Sequence, residues 1–362
     1  MARIICSPSK YIQGSGEIKK LKSYSDLLSK TGVYVLVDKF VYDNYKELIE
    51  YSFRDDLSKC HLEVFTGNST KQEVDRNIKI LKEKSFDTVI AIGGGKTIDI
   101  GKAISYYANL PMIVVPTVVS TDAPCSALSV LYTENGEFDK YLYLNSNPNI
   151  VLVDTQIIVK APTRLLVAGM GDALSTYYEA MACYNSGVTI AVGGKTSNTA
   201  LALAKLCLDT LMTDGCKAKI SSENGIVDEA FENIVEANTY LSGVGFESGG
   251  EAAGHAIHNG LTILQETNNK LHGEKVAFGT ITQLIMENRS LDEIQKVIDF
   301  CKNVGLPTNF KDLGIENVSH DRLMEVAKAS CAENETIHNM PFKVNPEMVF
   351  DAMIKANELG SK

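Results

Sequence analysis

Apolar and β-branched residues in the first 155 or so positions come in short, nearly continuous runs: Val33–Val37, Leu62–Phe65, Thr88–Ile92, Met112–Val115 and Ile150–Val153. Between several of these runs the apolar positions recur every three or four residues, as Val74, Ile78 and Leu81 do within the charged stretch Glu73–Lys84. Such a run predicts a strand buried on both faces, and the wider spacing predicts an amphipathic helix beside it. Their alternation predicts a parallel sheet covered by helices. One segment breaks the rule. Ser129–Thr133 and Phe138–Leu144 flank Asn135-Gly136, which predicts a β-hairpin inserted into that sheet.

After Asp154 strand-like runs become rare. Helical spacing dominates Gly171–Tyr184, Ser197–Met212, Ile226–Val244, Leu291–Val304, Arg322–Ala332 and Pro346–Leu359. The expected architecture is an α/β nucleotide-binding domain over residues 1–157 and an all-α domain over 158–362, with the break just before Lys160-Ala-Pro162. No repeat, low-complexity tract or long linker separates them, so a small-molecule site is expected in a cleft where the halves meet.

Bulk properties narrow the function. At 362 residues the chain exceeds one ordinary domain, which agrees with two. A net charge of −10 without a run of Lys and Arg argues against a nucleic-acid partner. No stretch approaches the ~20 apolar residues of a membrane span, and the apolar stretch near the N-terminus is too short for a signal peptide. The eight cysteines are scattered, with no CxxC pair, as reduced thiols in the cytoplasm would be.

Two loops carry candidate chemistry in the first half. Val89–Ile92 runs into Gly93-Gly94-Gly95-Lys96-Thr97 and then into a helix containing Asp99 and Lys102. Glycines that let backbone N–H groups approach an anion, beside a helix N-terminus, suit a pyrophosphate. Neither the G-x-G-x-x-G fingerprint nor a P-loop is present, so the loop also fits a plain tight turn. Asp38 ends the strand Val33–Val37, where a carboxylate accepts from an adenosine ribose and repels a 2′-phosphate, favouring NAD over NADP. Pro116–Leu128 is a hydroxyl-rich loop bounded by prolines, holding Thr117, Ser120, Asp122 and Ser126. Its Ser and Thr side chains suit ribose and phosphate, and Asp122 suits a polar substrate.

In the second half, three of the six histidines fall between His255 and His272, amid glycines and alanines. Asp172 follows Gly169-Met-Gly171 and is expected in the first turn of a helix. One Asp and two His make a plausible set for a divalent metal of borderline softness. His258 lies near the face of His255 and fits three readings: a fourth ligand, a proton-relaying or supporting group behind the ligands, or a packed histidine. His338 suits either closure of the cleft or a structural place. Cys125 reads as a small buried residue.

These motifs carry a resemblance. With Gly93–Lys96, Ser120–Ser129, Gly169–Ala173, Gly245–Gly250, His255–Gly260, His272–Gly279 and Glu335–Met340 in this order, the chain resembles the glycerol dehydrogenases of the iron-containing alcohol dehydrogenase superfamily. The resemblance implies a dehydroquinate synthase-like architecture, NAD bound by the α/β domain, and a catalytic zinc held by Asp172, His255 and His272. It implies that Asp122 contacts the polyol and that Asp38, Gly94, Gly95, Thr117, Ser120, Ser126, Leu128 and Tyr132 line NAD, with Gly93, Lys96 and Asp99 in the same glycine-loop motif. It implies a homo-oligomer. The iron-dependent relatives place a histidine four residues after the aspartate, where this chain has Thr176. Three protein ligands and an open position are the arrangement of catalytic zinc.

The expected activity is NAD-dependent, zinc-assisted oxidation of glycerol and related vicinal diols to dihydroxyacetone, with His258 in catalytic support. The alternatives are a dehydrogenase of another small alcohol or of a glycerol phosphate, a dehydroquinate synthase-type lyase, or a catalytically silent NAD- and metal-binding protein. A phosphate substrate calls for basic residues near the metal, and Gly169–Glu179 and Gly245–Gly260 contain no Lys or Arg.

Overall fold

The computed structural model describes residues 1–316 and 318–362. By packing, the chain divides into two units. One comprises Ser7–Val119 and Ala123–Ala161; the other comprises Met1–Cys6, Ser120–Asp122 and Pro162–Lys362. The division falls after Ala161 rather than after residue 157, and Ser120–Asp122, though inside the α/β segment, packs with the helices.

The first unit holds a six-stranded parallel sheet in the order β1-β8-β5-β4-β2-β3. Its strands are β1 (Lys10–Gly14), β2 (Val33–Val37), β3 (Cys60–Val64), β4 (Thr88–Gly93), β5 (Met112–Pro116) and β8 (Ile150–Asp154). Its helices are α1 (Leu21–Ser25), α2 (Lys39–Ser52), α3 (Lys71–Lys84), α4 (Gly95–Ala108) and the short α5 (Thr155–Ile158). Both faces are covered, as the nearly continuous apolar runs require. Val33, Val35, Val37, Ile90 and Ile92 pack with Val41 and Ile49 of α2, while Tyr34, Leu36 and Val89 pack with Val74 of α3 and Ile100 and Ile104 of α4. Neighbouring residues along one strand thus serve opposite cores.

Among the described residues the hairpin strands β6 (Leu128–Tyr132) and β7 (Phe138–Tyr143) pair with each other alone, as a separate two-stranded sheet rather than part of the large one. Leu131 anchors it in the α3–α4 core.

The second unit contains α6 (Thr163–Ser186), α7 (Asn198–Glu223), α8 (Glu229–Glu236), α9 (Ser242–Gly249), α10 (Ala253–Leu261), α11 (His272–Met286), α12 (Leu291–Val304), α13 (His320–Ser330) and α14 (Pro346–Gly360). Most helices begin where a side chain can cap them. Ser197, Asp228, Ser290, Ser319 and Asn345 each accept the backbone N–H three residues on. The stretch expected as one helix over Ile226–Val244 is instead α8, a π-helical turn at Ala237–Leu241, and α9. Asp172 lies well inside α6 and not in its first turn, because Gly169 and Gly171 continue the helix.

These glycines form a seam. A Cβ on Gly171 would strike the Gly273 carbonyl oxygen, and one on Gly273 would strike the Ala168 carbonyl oxygen. The α6 and α11 backbones are therefore nearly in contact, with Asp172 and His272 each one residue from the crossing. Arg164 of α6 secures the same pair, its guanidinium 2.7 and 2.8 Å from the two carboxylate oxygens of Glu274 in α11. A second close approach, Gly279 against the Gly254 carbonyl, brings α10 and His255 onto α11.

Candidate functional site

In the helical unit, Asp172, His255 and His272 each offer one ligand atom, and these atoms all lie within 4.8 Å of one another. The Nε2 atoms of His255 and His272 approach the same oxygen, Asp172 Oδ1, at 3.3 and 3.1 Å. Asp172 is buried at 2% exposure, whereas the His272 side chain keeps 36%, so the cluster has one open side. A carboxylate and two imidazoles fit a divalent ion of zinc's character. Burial alone would raise the Asp172 carboxyl, but the His272 and His255 imidazoles outweigh it and hold it well below the usual range.

The outer partners were less legible. Glu179, two turns beyond Asp172 on α6, is buried, and its Oε2 lies 2.6 Å from His255 Nδ1. Its Oε1 accepts the Ala252 and His255 backbone N–H groups at 2.8 and 2.9 Å. Burial works to raise this carboxyl; His255 outweighs it and holds it down. Nothing in the sequence sets Glu179 apart as a partner of His255 except its seven-residue offset from Asp172, which puts both on one helix face.

His258 stands behind His272, with Nε2 3.1 Å from His272 Nδ1 and Nδ1 3.0 Å from Asn259 Oδ1. Burial, then the neighbouring His272, Lys275 and His255, push its pKa well below the ordinary value. Asp122 lies against the cluster from the Ser120–Asp122 segment: its N–H donates to Asp172 Oδ2 at 3.3 Å, and its Oδ2 accepts from Ser242 Oγ at 2.6 Å. Burial and the adjacent Asp172 raise the Asp122 carboxyl well above its usual range. Ser242, directly after the π-helical turn, shares a 3.0 Å hydrogen bond with Thr176. Thr176 thus occupies, buried and hydrogen-bonded, the position where an iron-type site carries its extra histidine. His338 is exposed and bonds the Ala332 carbonyl, away from this cluster.

In the α/β unit three expected elements converge at the carboxyl ends of adjacent strands. Val37 pairs with Ile92 and Gly93 with Pro116, which sets Asp38, Gly94 and Thr117 side by side. The chain turns from β2 outward to β3 but returns on the other side of β2 with β4, so this is the sheet's topological switch point. A Cβ on Gly93 would lie 2.7 Å from Asp38 Oδ2 and 2.8 Å from Thr97, which explains the first glycine. A Cβ on Gly95 would meet nothing within 4 Å, and one on Gly94 only Val118 at 3.9 Å. That open ground lies at the N-terminus of α4, which has no side-chain cap, and it fits a phosphate group. Asp38 caps α2 through Val41 N–H at 2.8 Å and faces Gly94 N–H at 3.4 Å, leaving acceptor capacity for a ribose.

The remaining predicted residues separate. Lys96 is exposed beside the glycines, Ser120 packs with the helical unit, and the buried Ser126, with Leu128 and Tyr132, belongs to the hairpin side. Asp99 turns toward β6: its carboxylate takes the Val130 N–H, and burial raises its pKa to about 7 against the pull of Lys102. Lys102, which sequence reasoning did not single out, is fully buried. Its Nζ donates to Ala123 O at 2.5 Å, Ser126 Oγ at 3.2 Å and Leu128 O at 2.9 Å, tying down the loop.

A parallel-sheet unit whose switch point could take a phosphate, in one chain with a helical unit whose Asp-His-His cluster could hold a metal ion, fits a class: metal-dependent alcohol dehydrogenases of dehydroquinate synthase-like architecture. Residues 8–155 match the family model for iron-containing alcohol dehydrogenase. The chain is 50% identical over 362 residues to a glycerol dehydrogenase of Citrobacter freundii, covering 100% of this chain and 99% of the relative. It superposes on the crystal structure of glycerol dehydrogenase from Schizosaccharomyces pombe with a TM-score of 0.93 at 38% identity, covering 99% of this chain and 91% of that one. A probable glycerol dehydrogenase from Sinorhizobium meliloti 1021 gives a TM-score of 0.91 at 40% identity, covering 99% of each. The chain belongs to the glycerol dehydrogenase family of iron-containing alcohol dehydrogenases.

Proposed function

We propose that this protein oxidises glycerol and related vicinal diols to dihydroxyacetone and its analogues, passing a hydride to NAD, with one zinc ion per subunit held by Asp172, His255 and His272. It is an oxidoreductase of the glycerol dehydrogenase type, and NAD and a metal ion are its cofactors. The observation that carries the site assignment is the convergence of both Nε2 atoms on Asp172 Oδ1. When bound, zinc supplies Lewis acidity toward a substrate hydroxyl.

The chain's own residues do the rest. Asp122 holds a polyol hydroxyl, its carboxylate oriented by Ser242. Glu179 keeps the His255 proton on Nδ1, so that Nε2 offers its lone pair. His258 supports His272 rather than adding a ligand, since both its nitrogens already have partners. Gly94 and Gly95 present backbone N–H groups to the pyrophosphate, and Asp38 accepts from the ribose and disfavours NADP. Thr117, Ser126, Leu128 and Tyr132 line the nucleotide, with Gly93, Lys96, Asp99 and Ser120 in the motifs around it.

The proposal extends to a cytoplasmic homo-oligomer. Among the described residues no helix is long and apolar enough to cross a membrane, and the cysteines form no disulfide. The test is NAD-linked glycerol oxidation before chelation, after chelation and after zinc is restored, with zinc content measured in wild type and His272→Ala. Retention of both zinc and activity in the variant would sink the ligand assignment.

A further inference from the structure

The segment Glu335–Met340 stood out in the sequence without a role, and its histidine turns away. Its other side chains do not. Thr336 Oγ1 donates to Ala252 O at 2.7 Å and Asn339 Nδ2 to Glu251 O at 2.8 Å, fastening the segment to the turn that precedes α10. Glu335 reaches α10 itself, where Asn259 Nδ2 donates to Glu335 Oε2 at 2.9 Å.

That bond sets a direction. Burial raises the Glu335 carboxyl and the Asn259 bond opposes it; in its ionised form Glu335 only accepts, which turns the Asn259 NH2 toward it and the Asn259 carbonyl oxygen toward His258 Nδ1, 3.0 Å away. His258 Nδ1 therefore carries the proton. A His272 that binds metal through Nε2 has its one ring proton on Nδ1, which faces His258 Nε2 at 3.1 Å, so His258 Nε2 accepts. The His272 Nε2, the atom facing Asp172, is left with a lone pair. Reversing any one member leaves two donors or two acceptors face to face.

We propose that Glu335 is a positioning residue for the metal centre: through Asn259 and His258 its carboxylate fixes the tautomer and ring orientation of His272, as Glu179 does directly for His255. This rests on the reading of His272 as a metal ligand. The two histidine ligands would then each be oriented by a carboxylate, one adjacent and one two residues removed.

The test compares full-length wild type with Glu335→Ala, Asn259→Ala, the double variant and Glu335→Gln. Apparent Zn2+ affinity is read by competition with a chromophoric chelator, and ligand geometry by the visible absorption of the Co2+-substituted proteins. Each alanine variant should bind zinc about tenfold more weakly, at the lower end of what loss of an outer partner costs a metal site, with an altered cobalt spectrum. Because both act through one chain, the double variant should lose no more than either single. Glu335→Gln keeps an acceptor oxygen for Asn259 and should bind close to wild type.

A merely structural latch would lower thermal stability in Glu335→Ala but leave zinc affinity and the cobalt spectrum unchanged. That result, or two losses that simply add, overturns the proposal. If Glu335→Ala does not fold, Asn259→Ala decides alone, and wild-type affinity there overturns it. Wild-type protein that takes up no metal, or uptake that survives His272→Ala, overturns the ligand reading and this inference together. Tight wild-type binding matched by Glu335→Ala overturns this inference alone.

Discussion

Gly273 lies against the Ala168 carbonyl so closely that a methyl group on it would drive into that oxygen. This contact brings Asp172 of α6 and His272 of α11 together, so the geometry of the proposed metal ligands and helix packing depend on the same seam. The obstacle to Gly273→Ala is backbone, which cannot rotate aside as a side chain would. Overpacking of this kind costs about 1–3 kcal/mol and sometimes more, and here the upper end is expected. In denaturant titrations of metal-free protein, Gly273→Ala should unfold at distinctly lower denaturant than wild type, while His272→Ala should stay close to it. Equal midpoints for Gly273→Ala and wild type would show that the seam is looser than its geometry.

Glu179 makes a sharper prediction about the metal itself. In Glu179→Gln the side-chain oxygen can keep the Ala252 and His255 N–H groups, but the amide NH2 must then face His255 Nδ1. That forces the His255 proton onto Nε2, the atom that should bind metal. Zinc affinity is expected to fall roughly 10- to 100-fold with little change in fold. Chelator competition measures the first, and circular dichroism checks the second. Wild-type affinity would mean that the 2.6 Å contact does not set the tautomer.

The sheet was legible because burial on both faces leaves nearly continuous apolar runs, and β2 matches its run residue for residue. The edge strand β1 escaped notice: Lys-Tyr-Ile-Gln-Gly is partly exposed and has no such run, and only its parallel pairing with β8 makes it a strand. Asp172, proposed as a ligand, lies inside α6 and not in the first turn where it is expected. Glycine serves both helix ends and close helix crossings, and sequence alone does not separate the two. Ser242 was hidden for another reason. The π-helical turn at Ala237–Leu241 adds a residue to the helical winding, so a regular helix drawn through Ile226–Val244 points Ser242 elsewhere. Lys102 gave no sign, since a lysine on a helix is read as solvated until the oxygens around its buried Nζ are seen.

Asp99 should make the stability of the α/β unit depend on pH. Its pKa in the folded protein is about 7, raised by burial and opposed by Lys102, against about 3.9 in an unfolded chain. Between these values the folded state holds a proton that the unfolded state has lost, so this group's stabilising contribution is full below pH ~4 and is lost as pH rises through ~7. One such proton contributes a slope of at most about 1.4 kcal/mol per pH unit. Asp99→Asn removes the titration. Its stability relative to wild type should therefore improve steadily from pH 4 to 7 and level off above, as read from denaturation midpoints of matched samples. A difference that stays flat across that range would rule out the raised value.

The hydroxyls behind Asp122 offer the last test. Ser242 donates at 2.6 Å to a buried carboxylate proposed to hold the polyol, and Thr176 in turn shares a bond with Ser242. With the Asp122 carboxyl held well above its usual range, this bond is an ordinary one of about 0.5–1.5 kcal/mol, which corresponds to a factor of roughly 2–10 in rate or binding. Ser242→Ala should therefore lower kcat/KM for glycerol by that order while zinc content stays at wild type, because Ser242 touches no ligand. Thr176→Val, one bond further back, should act in the same direction with a smaller effect. Thr176→His should not recreate a four-ligand site. A Cβ at Gly245 would already stand 2.7 Å from Thr176 Cγ2, so the α9 backbone fills the space an imidazole needs. That variant is expected to lose stability instead of gaining affinity for iron. Metal analysis after loading with ferrous ion, alongside a melting curve, separates the two outcomes, and a stable iron-binding Thr176→His protein would refute this account of the site's shape.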